Sequence, residues 1–139
     1  MAKTTVEVDV ALDDAWPQLQ DLATWEGVAG IEDLHDATFD DDGNLASFNF
    51  AMETIVGRVE GTTSVEAERP VMTISADEKG LRIMLRIELA EAGDDAITAE
   101  VEAKSKATGL LSKPLAVTLN ALLEASIDDE AAKIVDRLS

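Results

Sequence analysis

The sequence predicts an α+β fold: a curved, seven-stranded antiparallel sheet wrapped around a long C-terminal helix, in the order β-α-α-β6-α. Three observations carry this. From Ile31 to Ser105, apolar and polar residues alternate with the period of a strand. From Thr108 to Leu138 the period lengthens to that of a helix and stays there. The turns between successive strands are short, which means antiparallel pairing and a sheet with one wet face. The dry face must be covered, and only the terminal helix has the length to do it.

In order along the chain, Thr5-Val6-Glu7-Val8-Asp9-Val10 alternates and reads as a half-buried strand. Ala11 to Leu22 then switches to helical spacing, with Leu12, Ala15, Trp16, Leu19 and Leu22 on one face. Asp13 and Asp14 occupy its first turn, where the helix dipole favours negative charge. Pro17 falls early enough to cost one or two backbone bonds rather than the whole helix. Thr24 to Gly30 reads as a second, short helix ended by its glycines.

Six strands follow. Ile31 to Phe39 and Leu45 to Met52 flank the turn Asp40-Asp41-Asp42-Gly43-Asn44. Ile55 to Ala67 and Val71 to Ala76 flank Glu68-Arg69-Pro70. Leu81 to Leu89 follows the turn Asp77-Glu78-Lys79-Gly80, with Leu81, Ile83, Leu85, Ile87 and Leu89 inward, and Arg82, Arg86 and Glu88 outward. In Ala96 to Ser105, Ile97, Ala99, Val101 and Ala103 point inward. After the break at Gly109, Ser112-Lys113-Pro114 reads as an N-cap with proline in the first turn. Leu115, Leu119, Leu122, Leu123, Ile127, Ala131, Ile134, Val135 and Leu138 then form one apolar stripe. A helix of about 25 residues spans roughly 37 Å, enough to cross a small domain.

Composition bounds the function. The chain of 139 residues is expected to be one domain, 1–139, large enough to bury a core or a pocket. It has no cysteine, hence no disulfide framework, thiolate zinc site or cysteine nucleophile. Twenty-nine acids against eleven bases give a net charge of −18, which makes nucleic acid or an anionic membrane a poor partner. This acidity reads as solubility in a salt-rich setting or as complementarity to a cationic partner. No apolar run has the length of a signal or a membrane span, so no membrane insertion and a cytoplasmic location are expected.

At this point the chain resembles a known family. The order β-α-α-β6-α is that of the START-like, or Bet v 1-like, helix-grip superfamily (SRPBCC). Its members include polyketide cyclases, plant lipid-binding allergens and a group associated with carbon monoxide dehydrogenase. The local likeness lies in Val6-Glu7-Val8, Leu12-Asp13-Asp14-Ala15-Trp16 and Leu19-Gln20-Asp21, extended by Trp25 and Val28-Ala29-Gly30-Ile31. Pro17 directly after Trp16 departs from the expected pattern, and no catalytic signature of the family is present. The resemblance implies a cavity between sheet and helix that takes a hydrophobic small molecule.

The residues of such a cavity follow from strand alternation. Phe48, Phe50 and Met52 line one strand, and Gly57, Val59 and Gly61 the next. Ile83 and Leu85 lie beyond them, with Leu119 and Leu122 facing from the helix. Inward glycines either leave volume unfilled or mark a bend or close backbone approach. If they leave volume, Gly61→Leu fills space at little cost to stability. Met84 is in the outward register and is excluded.

Groups that could do chemistry are few. His35, the only histidine, and Glu53 are the only catalytic candidates; His35 reads first as a surface or structural residue. Glu53 with Arg58 is either a polar anchor at the end of an apolar pocket or an exposed ion pair of little energy. Asp40-Asp41-Asp42-Gly43-Asn44 lacks the spaced oxygens and closing glutamate of a calcium loop. No metal site and no cofactor are expected. Three readings remain. One is a non-catalytic binder of a hydrophobic small molecule. The second is an interaction module with a protein partner, assisting maturation of an oxidoreductase as the carbon monoxide dehydrogenase-associated group is thought to. The third is a polyketide cyclase- or dehydratase-like enzyme.

Overall fold

The structure, a computed structural model, describes residues 2–54, 57–78, 80–107 and 113–138, without the side chains at positions 54, 113, 115 and 119. The elements run β1 (Ala2–Val8), α1 (Leu12–Leu19), α2 (Leu22–Trp25), a 3-10 turn (Val28–Gly30), β2 (Ile31–Phe39), β3 (Leu45–Thr54), β4 (Gly57–Glu68), β5 (Val71–Glu78), β6 (Leu81–Gly93), β7 (Ala96–Ala107) and α3 (Lys113–Leu138). The seven strands form one sheet in the order β1-β7-β6-β5-β4-β3-β2, antiparallel throughout. This is the expected α+β arrangement, down to the bounds of β2. The expected break at Gly109 and N-cap at Ser112 lie outside the described residues.

Two helices differ from expectation for local reasons. α1 contains Pro17 and stops at Leu19, where the chain tightens: the Gln20 N–H bonds to Pro17 O at 3.1 Å and the Asp21 N–H to Gln18 O at 3.2 Å. The predicted second helix splits, with α2 capped by the Asp21 side chain, which accepts from the Ala23 N–H at 3.0 Å. Gly27 then turns left-handed at φ 81°, and Ala29 follows at φ 53°. Glu130 of α3 holds that turn by accepting the Ala29 N–H at 2.7 Å.

Alternation places the core as predicted. Leu81, Ile83, Leu85, Ile87 and Leu89 of β6 are all buried, and so are Ile97, Ala99, Val101 and Ala103 of β7. α3 lies along β7 and β1 rather than across the middle of the sheet. Its buried stripe is Ala116, Leu123, Ile127, Ala131, Ile134 and Leu138. Trp25 and Trp16 close the other end of the core, the first donating to Leu19 O at 2.8 Å and the second to Asn44 Oδ1 at 3.1 Å.

Two irregularities of the sheet matter below. The β4–β5 ladder runs only from Ser64/Ser75 to Glu68/Val71, although β4 begins at Gly57 and β5 continues to Glu78. The two strands therefore part at that end. Among the described residues, β1 pairs with β7 from Val8↔Ile97 to Ala2↔Ala103, and Ser105 has no strand partner on that side. Asn120 of α3 fills this gap, accepting from the Ser105 N–H at 2.8 Å and donating to Ser105 O at 3.0 Å.

Candidate ligand-binding site

On the inward face of the sheet, side chains from five strands converge on a small apolar void. Ile31 (β2), Phe50 (β3), Thr63 (β4), Ile74 and Ala76 (β5), and Ile83 and Leu85 (β6) surround about 10 Å³ of free volume. That is room for about one water molecule, far short of the 300–1,000 Å³ of an ordinary ligand pocket. The one polar side chain in this wall, Thr63, donates to Phe48 O at 3.1 Å. Among the described residues, no buried side-chain nitrogen or oxygen lacks a partner.

Of the residues expected to form the cavity, Phe50, Ile83 and Leu85 border the void, and Phe48, Met52 and Val59 are buried around it. The side chain of Leu119 lies outside the described residues. Three expectations are corrected. Leu122 is 60% exposed, because it sits one residue, or about 100°, off the stripe that carries the apolar contact at Leu123. Gly57 lies exposed at the strand start with φ 111°, and a Cβ there would meet nothing. Gly61 does not leave volume either: a Cβ placed on it would run into Cγ of Glu78.

Glu78 is the residue that sequence reasoning missed. It continues the inward register of Met72, Ile74 and Ala76 by one more step, whereas the expected strand ends at Ala76. Its carboxylate fills the place where β4 and β5 part, accepting the Thr62 N–H at 3.2 Å. Parity counted one step past Ala76 was the available signal.

The catalytic candidates lie elsewhere. His35 is exposed on the edge strand β2, its Nδ1 2.7 Å from Asp33 O and its Nε2 3.7 Å from the Asp36 carboxylate. Glu53 is exposed and paired with Arg58 at 3.3 Å. The guanidinium of Arg58 also donates to Asp33 and Glu60 and lies 3.6 Å from Glu32. The hydrogen bonds to Asp33, Glu60 and Glu53, in that order, hold Arg58 above its ordinary pKa. This is the exposed-pair alternative for Glu53 and Arg58, not a polar anchor inside a pocket. Among the described residues, no group of His, Asp and Glu is placed to hold a metal ion, and no helix is long and apolar enough to cross a membrane.

A sheet of seven antiparallel strands curled against a long terminal helix, with two short helices bridging β1 and β2, is the helix-grip architecture. More specifically, the chain has the START-like, Bet v 1-like form of that fold. A START superfamily protein from Mycobacterium smegmatis superposes with a TM-score of 0.71 over 99% of this chain and 98% of that one, at 14% identity. A conserved protein from Geobacillus kaustophilus gives 0.66 over 98% and 93%, at 14% identity. The Zhui aromatase/cyclase from a Streptomyces species gives 0.66 over 99% and 89%, at 13% identity. No family model matches the sequence, and no curated protein matches it.

Proposed function

We propose that the protein binds a hydrophobic small molecule between the sheet and α3, without catalysing a reaction on it. The observation that carries this reading is the void: apolar side chains of five strands converge there without closing on one another. The fold it shares with proteins described as START and aromatase/cyclase supports the same location. In this closed form a ligand does not fit, so binding requires the first half of α3 to move away from β7.

The first half of α3 is the part suited to move. From Leu123 on, the helix is anchored by Leu123, Ile127, Ala131, Ile134 and Leu138, and by Arg137, which donates to Thr24 O and Glu26 O at 2.8 and 2.7 Å. The first half presents Val117 and Leu122 to solvent at 67% and 60% exposure. Among the described residues, its ties to the sheet are Ala116 and the Asn120–Ser105 bonds. Polar bonds of this kind contribute about 1 kcal/mol each and exchange with water when broken, so opening here costs less than lifting the apolar half.

The test is uptake of an environment-sensitive apolar dye, together with native mass spectrometry of freshly purified protein. The binder reading expects saturable uptake by the wild type and tighter or faster uptake by Asn120→Ala. Absence of uptake by both, with no retained small molecule, overturns it. The exposed Val117 and Leu122 favour a second reading, an interaction module that docks a protein partner on α3, and that reading would then take its place.

A further inference from the structure

A hollow of about 820 Å³, much larger than the interior void, is lined mainly by the outer face of the sheet, with Ala76, Ser105 and, from α3, Asn120 at its margin. Its floor is built of short hydroxyl side chains, among them Ser64 on β4 and Ser75 on β5, which face each other in the ladder. Its wall is long and basic: Arg82 on β6, with Lys104 and Lys106 on β7. The chain has only eleven bases against 29 acids, and this hollow gathers three of them beside two carboxylates, Glu66 and Asp77.

That arrangement works against the stability of the free sheet. Arg82 stands directly opposite Lys106, and Lys104 lies two pairs further along on the same face, opposite Met84. Like charges directly opposite one another on adjacent strands are destabilising. Carboxylates are close by. Asp77 accepts from Arg82 at 3.1 Å, Glu66 stands on the wall, and Glu102 precedes Lys104 on the same face. None of them pairs with Lys104 or Lys106. Among the described residues, these two lysines make no ion pair and no side-chain hydrogen bond, while Glu100 is shared by Lys3 and Arg86.

We propose that this hollow binds a small molecule through a dianionic phosphate ester group, held by Lys104 and Lys106 with Arg82 beside them. Two uncompensated ammonium groups match two negative charges, and each offers three donors to phosphate oxygens. The hydroxyls of the floor supply donors and acceptors for the rest of the molecule. The volume lies within the range of ordinary ligand pockets. The overall charge of −18 repels an extended polyanion. A compact dianion feels mainly the charges within a Debye length of about 10 Å at 0.1 M salt: Lys104, Lys106 and Arg82 on one side, Asp77, Glu66 and Glu102 on the other, and direct contact with the two unpaired lysines decides the balance.

The experiment is an amide NMR titration with inorganic phosphate and with phenyl phosphate, at ionic strength held constant with sodium chloride. A succinate arm separates phosphate from dicarboxylate. Saturable shifts are expected at Ser75, Asp77, Lys104, Ser105 and Lys106, with Ile31 and Phe50 unmoved and phenyl phosphate tighter than succinate. Lys104→Gln with Lys106→Gln should weaken phenyl phosphate at least about tenfold. A control pair, Lys3→Gln with Lys133→Gln, changes the net charge equally and should stay within about twofold of wild type. Unsaturable shifts, equal weakening by both pairs, or succinate binding as tightly as phenyl phosphate would overturn the proposal. Both pairs are surface changes, and melting curves establish that they remain folded. The hollow shares Ala76 with the interior void, and Ser105 and Asn120 with the tie of α3, so dye uptake is measured beside the titration: loss of phosphate binding with dye uptake kept overturns this proposal alone.

Discussion

Gly61 and Glu78 illustrate how one side chain decides the meaning of another. The glycine is needed because the methylenes of Glu78 cross its face on the way to the Thr62 N–H, a close approach rather than an unfilled space. Gly61→Leu should therefore destabilise by about 1–3 kcal/mol in a denaturant melt, the usual cost of overpacking. Glu78→Ala removes the obstruction, so the double variant should recover at least about 0.5 kcal/mol relative to additivity. Strict additivity would mean that the two side chains do not compete. Thr63 makes a second case at the same scale. Thr63→Val deletes the hydroxyl that satisfies Phe48 O and should cost about 1 kcal/mol. It leaves the void wholly apolar, and dye affinity should rise if ligands bind there.

At the scale of elements, α3 separates what the sequence displays from what it hides. Its existence and extent follow from periodicity alone. The face it buries does not, because the stripe includes small or polar residues, Ala116, Asn120 and Ala131, where the helix runs close to β7 and β1. Choosing positions by apolar size selects Leu122 and passes over Ala116. The contrast is measurable: Leu122→Ser should stay within about 0.5 kcal/mol of wild type. Ile127→Ala, which empties a buried site, should cost about 2–5 kcal/mol. Strand registers were legible for a related reason. A sheet with one wet face writes its parity into every second residue, and a one-residue slip would expose Ile83, Leu85 and Ile87 together. Where two strands part is not written that way, since parity is unchanged whether or not the ladder continues. The role of Glu78 was therefore hidden, and so was the hollow on the outer face, which depends on how neighbouring strands set long side chains around short ones.

For the molecule as a whole, the acid excess has to be carried somewhere. Few cations are available, and Arg58 alone gathers carboxylates from Glu32, Asp33, Glu53 and Glu60. Exposed pairs of this kind are worth little singly, but the remaining carboxylates repel one another across the surface. Raising sodium chloride from 0.1 to 1 M shortens the screening length from about 10 to about 3 Å. The melting temperature should rise with it, by roughly 3–6 °C if about 1 kcal/mol of repulsion is removed. Arg58→Gln should steepen that dependence. A flat or falling curve would show that self-repulsion is not a significant part of this protein's stability.

The Asn120–Ser105 bonds have a further consequence, for how copies of this chain behave when crowded together. A strand edge without a neighbour offers a free row of N–H and C=O groups, a template on which another chain can add a strand. The Asn120 side chain carries one donor and one acceptor in the spacing of a peptide group, and it occupies that template as a decoy strand of a single residue. At the opposite edge, β2 is broken by register shifts, with Asp33 and Asp36 in left-handed backbone at φ 53° and 56°. It is a poor surface for pairing in its own way. Asn120→Ala should therefore promote slow self-association at high protein concentration and high salt, where charge repulsion no longer keeps the molecules apart. Light scattering would register this even where the variant remains fully folded in dilute solution.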